Sequence, residues 1–538
     1  MKLPHSTTAL LNVPISNAER KSCLQLSMAK LRDGESLSSS TLSMTSLSTS
    51  TRTIDLDVGE EKDELIKQFL KPDTSANSRS LSLQERDAIL ENELFKDPST
   101  ATNRYIMLGL LWSIACLSAL DRVAMSVAIL PMAQEFTYFT DTVKGSISSF
   151  FSIGYGLAIL PAGLLVANLS PRKVMSVGLS TWSLATVATA LVLTQDQSSM
   201  SLLLLARALV GAGESVILPT IQRLLISWTT SKEKTTALAA IYSGFHIGTI
   251  AAYTLSPVVM DGFGDWRGLF YAYGAVGLLI LAPWLALAKD SPQMIVSENQ
   301  GSKTDAVPPQ ALSLTDSVGE AMQTVRAAPW KGFFSSKGTW GILLAHCAKN
   351  VGLYVSLAWI PTFYSEQYGI GVRDSALLSV LPSITGAVCG VLAGATADSF
   401  IRNLEDGDVE MRGRIRKGFQ TIAFLGQSLA LGTLALNVPE EPWVAQLFLM
   451  ASYGLMAFNT SGFEAGIQEK AGNRWTGLLY SVTSLPAVIC GTAGVYATGL
   501  ILDATNQDWS WVFGLIAASN LVGNAAFVAL YDPKQEFD

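Results

Sequence analysis

The stretch from Tyr105 to Pro131, YIMLGLLWSIACLSALDRVAMSVAILP, decides the fold. It is apolar over the roughly 20 residues that an α-helix needs to cross the hydrocarbon of a bilayer. Its second half carries Asp121 and Arg122, charges too costly to face lipid, so this helix must turn one side into protein or water. The pattern recurs on moving outward. Comparable stretches lie at 143–168, 174–194, 200–227, 235–258, 267–288, 338–365, 375–397, 417–437, 443–465, 475–500 and 509–531, which with 105–131 makes twelve. The chain as a whole, 538 residues with 49% hydrophobic and 15% charged, fits this reading and excludes a string of soluble domains. Pro161, Pro219, Pro257, Pro361, Pro382 and Pro486 fall inside these stretches, where neighbouring helices re-satisfy the backbone groups that proline frees. The expectation is an all-α membrane protein of twelve transmembrane helices.

Residues 1–103 are different in kind. They hold a Ser/Thr tract from Ser36 to Thr51 and an acidic patch from Asp55 to Glu64, a composition that cannot bury enough surface to fold. That segment dominates the net charge of −7, so the charge says little about partners. Its Ser-rich start suits a plastid transit peptide, although Glu19, Asp33 and Glu35 are more acidic than such peptides usually are, and no secretory signal is expected. Glu61-Lys62-Asp63-Glu64-Leu65-Ile66 reads equally as an acidic dileucine signal for endolysosomal or vacuolar membranes. Plastid envelope or thylakoid, vacuole and plasma membrane stay open.

A loop at 289–337 separates a bundle at 104–288 from a second at 338–531, and a short tail follows at 532–538. Arg172, Lys173, Arg326, Lys331, Arg402, Arg412, Arg414, Arg416 and Lys417 lie on connections that share a side with the amino terminus. The positive-inside rule puts that side, both termini and the central loop in the cytosol. Gly163-Leu-Leu-Val-Ala-Asn-Leu-Ser-Pro-Arg-Lys173 and Gly394-Ala-Thr-Ala-Asp-Ser-Phe-Ile-Arg402 are a faint internal echo, one per half. With the division into six and six, they resemble the major facilitator fold, whose halves enclose a site near the bilayer midplane. Ala167 and Asn168 depart from the acidic-basic pair usual in the first copy. The five cysteines show no metal-type spacing, and neither disulfide, metal nor cofactor is expected, nor a nucleic-acid partner.

Ionisable residues at lipid depth are functional candidates. They are Asp121, Arg122, Arg207, Glu214, His246, His346, Lys349 and, near an end, Glu464. At about 1.5 Å per residue, Arg122 and Arg207 both lie roughly 10 to 14 Å from the outer face, and Glu214 and Lys349 form a deeper layer. Arg207 and Glu214, seven residues apart, share one helix face. Two guanidinium groups on one cavity suit a carboxylate or phosphate, because their planar forks give bidentate bonds that lysine cannot. Glu214, with its charge sensitive to burial and to a neighbouring cation, suits coupling to a proton or sodium ion. Plainer readings compete: Arg122 as a mere counter-ion of Asp121 or of a backbone carbonyl, Lys349 as a snorkelling charge, the two histidines as packed and hydrogen-bonded, and Glu464 as solvated.

Leu120-Asp-Arg-Val-Ala-Met-Ser-Val-Ala128, Arg207-Ala-Leu-Val-Gly-Ala-Gly-Glu214, Tyr242-Ser-Gly244 and Gly352-Leu-Tyr-Val-Ser-Leu-Ala-Trp-Ile-Pro-Thr-Phe-Tyr364 resemble the anion-transporter family of type I sodium/phosphate cotransporters, sialins and vesicular glutamate transporters. The plant and algal plastid branch resembles them most over residues 104–531. The resemblance implies the facilitator fold and secondary transport of an anion such as phosphate, ascorbate, glutamate or sialic acid, coupled to sodium, protons or membrane potential. It also implies substrate-binding roles for Arg122, Arg207, Lys349 and Tyr354 and an ion-coupling role for Glu214, with Asp121 and His346 as further candidates. Ser148 stands where vesicular members carry a histidine, and Gly466 to Gly477 lacks their asparagine-histidine stretch, which speaks against glutamate loading of vesicles. No P-loop, GxSxG or HExxH is present, so an enzyme has no basis in the sequence. A facilitator-like anion receptor without transport, or a facilitator for a non-anionic solute, are the alternatives.

Overall fold

The computed structural model describes residues 98–194, 196–229, 233–292, 326, 328–402, 404 and 408–537. The expectations for the tail up to residue 97, including the transit-peptide and dileucine readings, and for most of the central loop lie outside the described residues, as do the side chains of Ala167 and Asn168.

The described residues form helices and no strand. The first half comprises α1 (Pro98–Glu135), α2 (Asp141–Asn168), α3 (Pro171–Val192), α4 (Met200–Glu214), α5 (Ile217–Trp228), α6 (Lys234–Phe263) and α7 (Arg267–Leu287). The second comprises α8 (Trp330–Ser335), α9 (Lys337–Tyr368), α10 (Val372–Arg402), α11 (Val409–Leu436), α12 (Pro442–Met456), α13 (Phe463–Thr505) and α14 (Trp509–Leu530). Among the described residues, 11 helical runs are long and apolar enough to cross a membrane, α4 and α5 together making one of them. The helices start where the local chemistry caps them. Thr140, Ser170, Ser336 and Asp408 each accept a backbone N–H three residues on, which satisfies a donor that a helix start leaves free.

The tenth expected stretch, 443–465, is not one helix. α12 stops at Met456, a 3₁₀ turn covers Ala457–Thr460, and α13 begins at Phe463 and continues through the expected connection at 466–474. Buried polar side chains explain the break. Asn459 donates to the Met456 carbonyl (2.7 Å) and accepts from Gln420 of α11 (2.6 Å), whose own carbonyl accepts the Phe463 N–H (2.9 Å). Backbone freed at lipid depth must find such partners inside the protein. The fourth span breaks too, at Ser215 and Val216 between α4 and α5, directly after Glu214. Interrupted helices at corresponding positions of two halves mark the site region of a transporter.

Each half packs its own apolar core, around Trp182, Trp228 and Trp284 in the first and Trp359, Phe363 and Trp509 in the second. Large apolar side chains such as Leu157, Leu191, Leu279, Val391 and Leu429 point outward, as they must where the solvent is lipid. The halves meet through α2 on α13, α6 on α10 and α1 on α9. At the end that holds the start of α2 they are latched together. The Asp503 carboxylate accepts the backbone N–H groups of Asp141 (3.0 Å) and Thr142 (2.8 Å), at the positive end of α2. Beside it Lys144 bonds Asp141 (2.8 Å) and Glu366. At the opposite end, a methyl group added at Gly163 or Gly394, the two echo glycines, would meet nothing within 4 Å.

Candidate functional site

A cavity of about 80 Å³ is lined by residues of both halves. α1 contributes Arg122, Met125 and Ser126, α2 contributes Ser148, Phe151, Ser152 and Tyr155, and α4 contributes Arg207. From the second half come Leu353, Tyr354, Leu357 and Ala358 of α9 and Val495 of α13.

The cavity depends on close contact of α2 and α4. A Cβ at Gly211 would stand 2.0 Å from the Phe151 carbonyl oxygen, and one at Gly154 1.9 Å from that of Ala208, so only glycines let the backbones approach. This approach sets the Phe151 ring beside both arginines, its centroid 5.0 Å from the Arg122 guanidinium carbon and 5.6 Å from that of Arg207. Tyr155, one turn on, lies 5.7 Å from Arg122. The aromatic rings give the cations a weakly attractive wall that leaves their N–H groups free for another partner.

The two arginines are held differently. Arg122 donates to Glu214 Oε2 (3.1 Å), which also accepts the Ser118 hydroxyl (2.7 Å), while Glu214 Oε1 has no hydrogen-bond partner among the described residues. Arg207 is 2% exposed and makes no ion pair among the described residues, and its Nε is without a hydrogen-bond partner there. Arg207 therefore stands beside the cavity as a buried guanidinium with no carboxylate in ion-pair contact among the described residues, a costly arrangement.

These placements revise three sequence readings. Arg122 does not neutralise Asp121, which instead accepts the Trp182 indole N–H at 2.8 Å, behind the cavity wall. Glu464 is not a solvated end residue: it takes the Lys349 ammonium at 2.9 Å. The deeper layer of Glu214 with Lys349 does not form as expected, because Arg122 reaches down to Glu214 and Lys349 turns to Glu464 in its own half. Lys349 is therefore off the cavity lining, whereas Tyr354, five residues on along α9, is on it. His346, one turn before Lys349, is buried with its Nδ1 3.3 Å from the Thr483 hydroxyl. His246 is exposed on α6. Phe151, Ser152 and Tyr155 escaped a search for buried charge because they are uncharged. Their signal, two aromatics four residues apart flanking one serine, is common in any packed helix.

Two helical bundles around a charged cavity, latched together at one end, have the architecture of a secondary transporter. The chain belongs to the Major Facilitator Superfamily, whose family model matches residues 111–494, and within it to the anion-transporter family. It is 32% identical over 425 residues to the chloroplastic ascorbate transporter of Arabidopsis thaliana, covering 78% of this chain and 73% of that one. Over 424 residues it is 31% identical to the chloroplastic sodium-dependent phosphate transport protein 1 of the same plant, covering 78% and 77%. The crystal structure of a D-xylose-proton symporter matches with a TM-score of 0.61 at 14% identity, over 81% of this chain and 99% of that one, a likeness that shows the fold.

Proposed function

We propose that this protein moves a small anion, inorganic phosphate or an organic carboxylate, across a plastid membrane by alternating access, without changing it chemically. The bundles at 104–288 and 338–531 rock about the cavity, with the polar tail at 1–103 and the loop at 289–337 on the cytosolic side of the topology or, for the tail, serving as targeting sequence. The observation that carries this reading is Arg207, a buried cation facing the cavity without a carboxylate partner among the described residues. Arg122 and Arg207 bind the anion with forked hydrogen bonds, Tyr354 closes on it from the second half, and Lys349 adds positive charge one turn and a half away. Glu214 is the coupling group. An arriving anion competes for Arg122, and a proton or sodium ion on Glu214 releases the arginine to it. The named substrates of the relatives, ascorbate and phosphate, agree with an oxyanion site.

Purified protein in liposomes tests this. Labelled phosphate and labelled ascorbate are offered with sodium and proton gradients imposed one at a time. Accumulation of at least one of the two above its outside concentration, under at least one gradient, is expected. Saturable binding without accumulation would make the protein a receptor, and accumulation of a neutral sugar instead would overturn the anion reading.

A further inference from the structure

The halves carry matching charge pairs. In the first, Glu214 ends the broken fourth span and holds Arg122 of α1 at 3.1 Å. In the second, Glu464 starts α13 just past the broken tenth span and holds Lys349 of α9 at 2.9 Å. α1 and α9 are the first long spans of their halves and pack on each other; the Lys349–Glu464 pair lies off the cavity lining but stays partly exposed on both sides of its bond. The groups around Glu464 are Lys349 and His346 from α9, Tyr480 from α13 and Tyr242 from α6 of the other half. None of the others is a cation fixed on the carboxylate: His346 is bonded to Thr483, and the tyrosines are neutral hydroxyls near pH 7.

We propose that Glu464 is a second coupling carboxylate, so that each anion moves with two cations, one taken at Glu214 and one at Glu464. This rests on the transport function and on the coupling role of Glu214 proposed above. Lys349 with Glu464 bound to it is a satisfied ion pair and offers nothing to an anion. When Glu464, partly exposed in its pair, takes up a proton or a sodium ion from water, its hold on Lys349 weakens and the ammonium becomes available to the anion arriving between the halves. Release on the other side reverses the exchange: the anion leaves, the cation leaves, and Lys349 returns to Glu464. A carboxylate that served only to neutralise Lys349 would stay charged throughout.

Stoichiometry separates these roles, because the limiting accumulation ratio depends on how many cations accompany the anion and not on affinity. With the membrane potential clamped at zero, a tenfold gradient of the coupling cation supports about tenfold accumulation per cation carried, equivalent to about 1.4 kcal/mol each. For whichever of phosphate and ascorbate the wild-type protein accumulates in liposomes, a ratio on the order of 100 is expected, falling to about 10 in Glu464→Gln. An unchanged ratio in Glu464→Gln, or a wild-type ratio near 10, overturns the proposal and leaves the transport reading standing. Failure of the wild-type protein to accumulate either anion overturns both. Should Glu464→Gln not fold, the Lys349→Gln/Glu464→Gln double variant removes both charges and leaves none uncompensated. Its ratio stays near 10 if Glu464 couples and returns to the wild-type value if Glu464 only neutralised Lys349.

Discussion

The first half holds its charges in a crowded, aromatic setting, and the second holds its own in a simpler pair. Arg122 and Arg207 share the Phe151 ring, Glu214 is fully buried, and glycines at 154 and 211 bring α2 and α4 into backbone contact around them. Lys349 and Glu464 stay partly open on both sides of their bond. The equivalent packing of the second half is looser: a Cβ at Gly386 of α10 would meet the Tyr453 carbonyl oxygen of α12 only at 3.4 Å, an ordinary contact. On the proposed function, the first half, tightly packed around Arg207, reads the shape of the anion, and the second supplies charge and can vary with less damage.

The largest test of that contrast is structural. Gly211→Ala should cost on the order of 1–3 kcal/mol, because its methyl meets backbone that cannot step aside, whereas Gly386→Ala should be neutral or slightly stabilising. Thermal unfolding of the purified variants in detergent checks both, and equal losses would remove the asymmetry. Next, Glu214→Gln should lower gradient-driven accumulation about tenfold, leaving only the cation carried at Glu464, while anion exchange across the membrane continues, as measured by counterflow in liposomes; accumulation unchanged at every pH would dismiss Glu214 as a coupler.

A smaller effect is expected for the forks. Arg122→Lys and Arg207→Lys keep charge but lose bidentate bonding, so anion affinity should fall about tenfold or more, equivalent to about 1.4 kcal/mol. Lys349→Arg, at a pair with one bond, should change affinity by less than about threefold. Uptake measured over a range of anion concentrations, at matched amounts of folded protein, ranks the three. A loss at Lys349 as large as at the arginines would mean that the second half reads shape after all. The smallest effect is expected at His346, where His346→Gln keeps a hydrogen bond to Thr483 and should leave affinity within about twofold.

Most of the fold could be read from the length of the apolar stretches, because lipid demands a minimum helix length and punishes every charge inside it. The depth of Arg122 and Arg207 followed from helical rise alone, and both do border one cavity. What the one-dimensional pattern could not hold was pairing. Glu464 sits where hydropathy suggests a solvated end, and only the fold brings α9 beside it. The break in the tenth span was also hidden, because Asn459 and Gln420 are separated by a whole helix hairpin and their mutual satisfaction exists only once α11 packs on the turn. Aromatic wall residues such as Phe151 and Tyr155 carry no charge to betray them.

The latch across the halves has an uneven genetic footing. Asp503 grips the main-chain amides of residues 141 and 142, and every amino acid except proline presents such an amide. Inherited changes can therefore leave the grip of Asp503 itself intact at both positions, most freely at 142 because the Asp141 side chain also holds Lys144, while a single change at Asp503 releases it. A population survey of variants would then find the two partners of one contact under opposite tolerance, with proline the one substitution barred on the amide side.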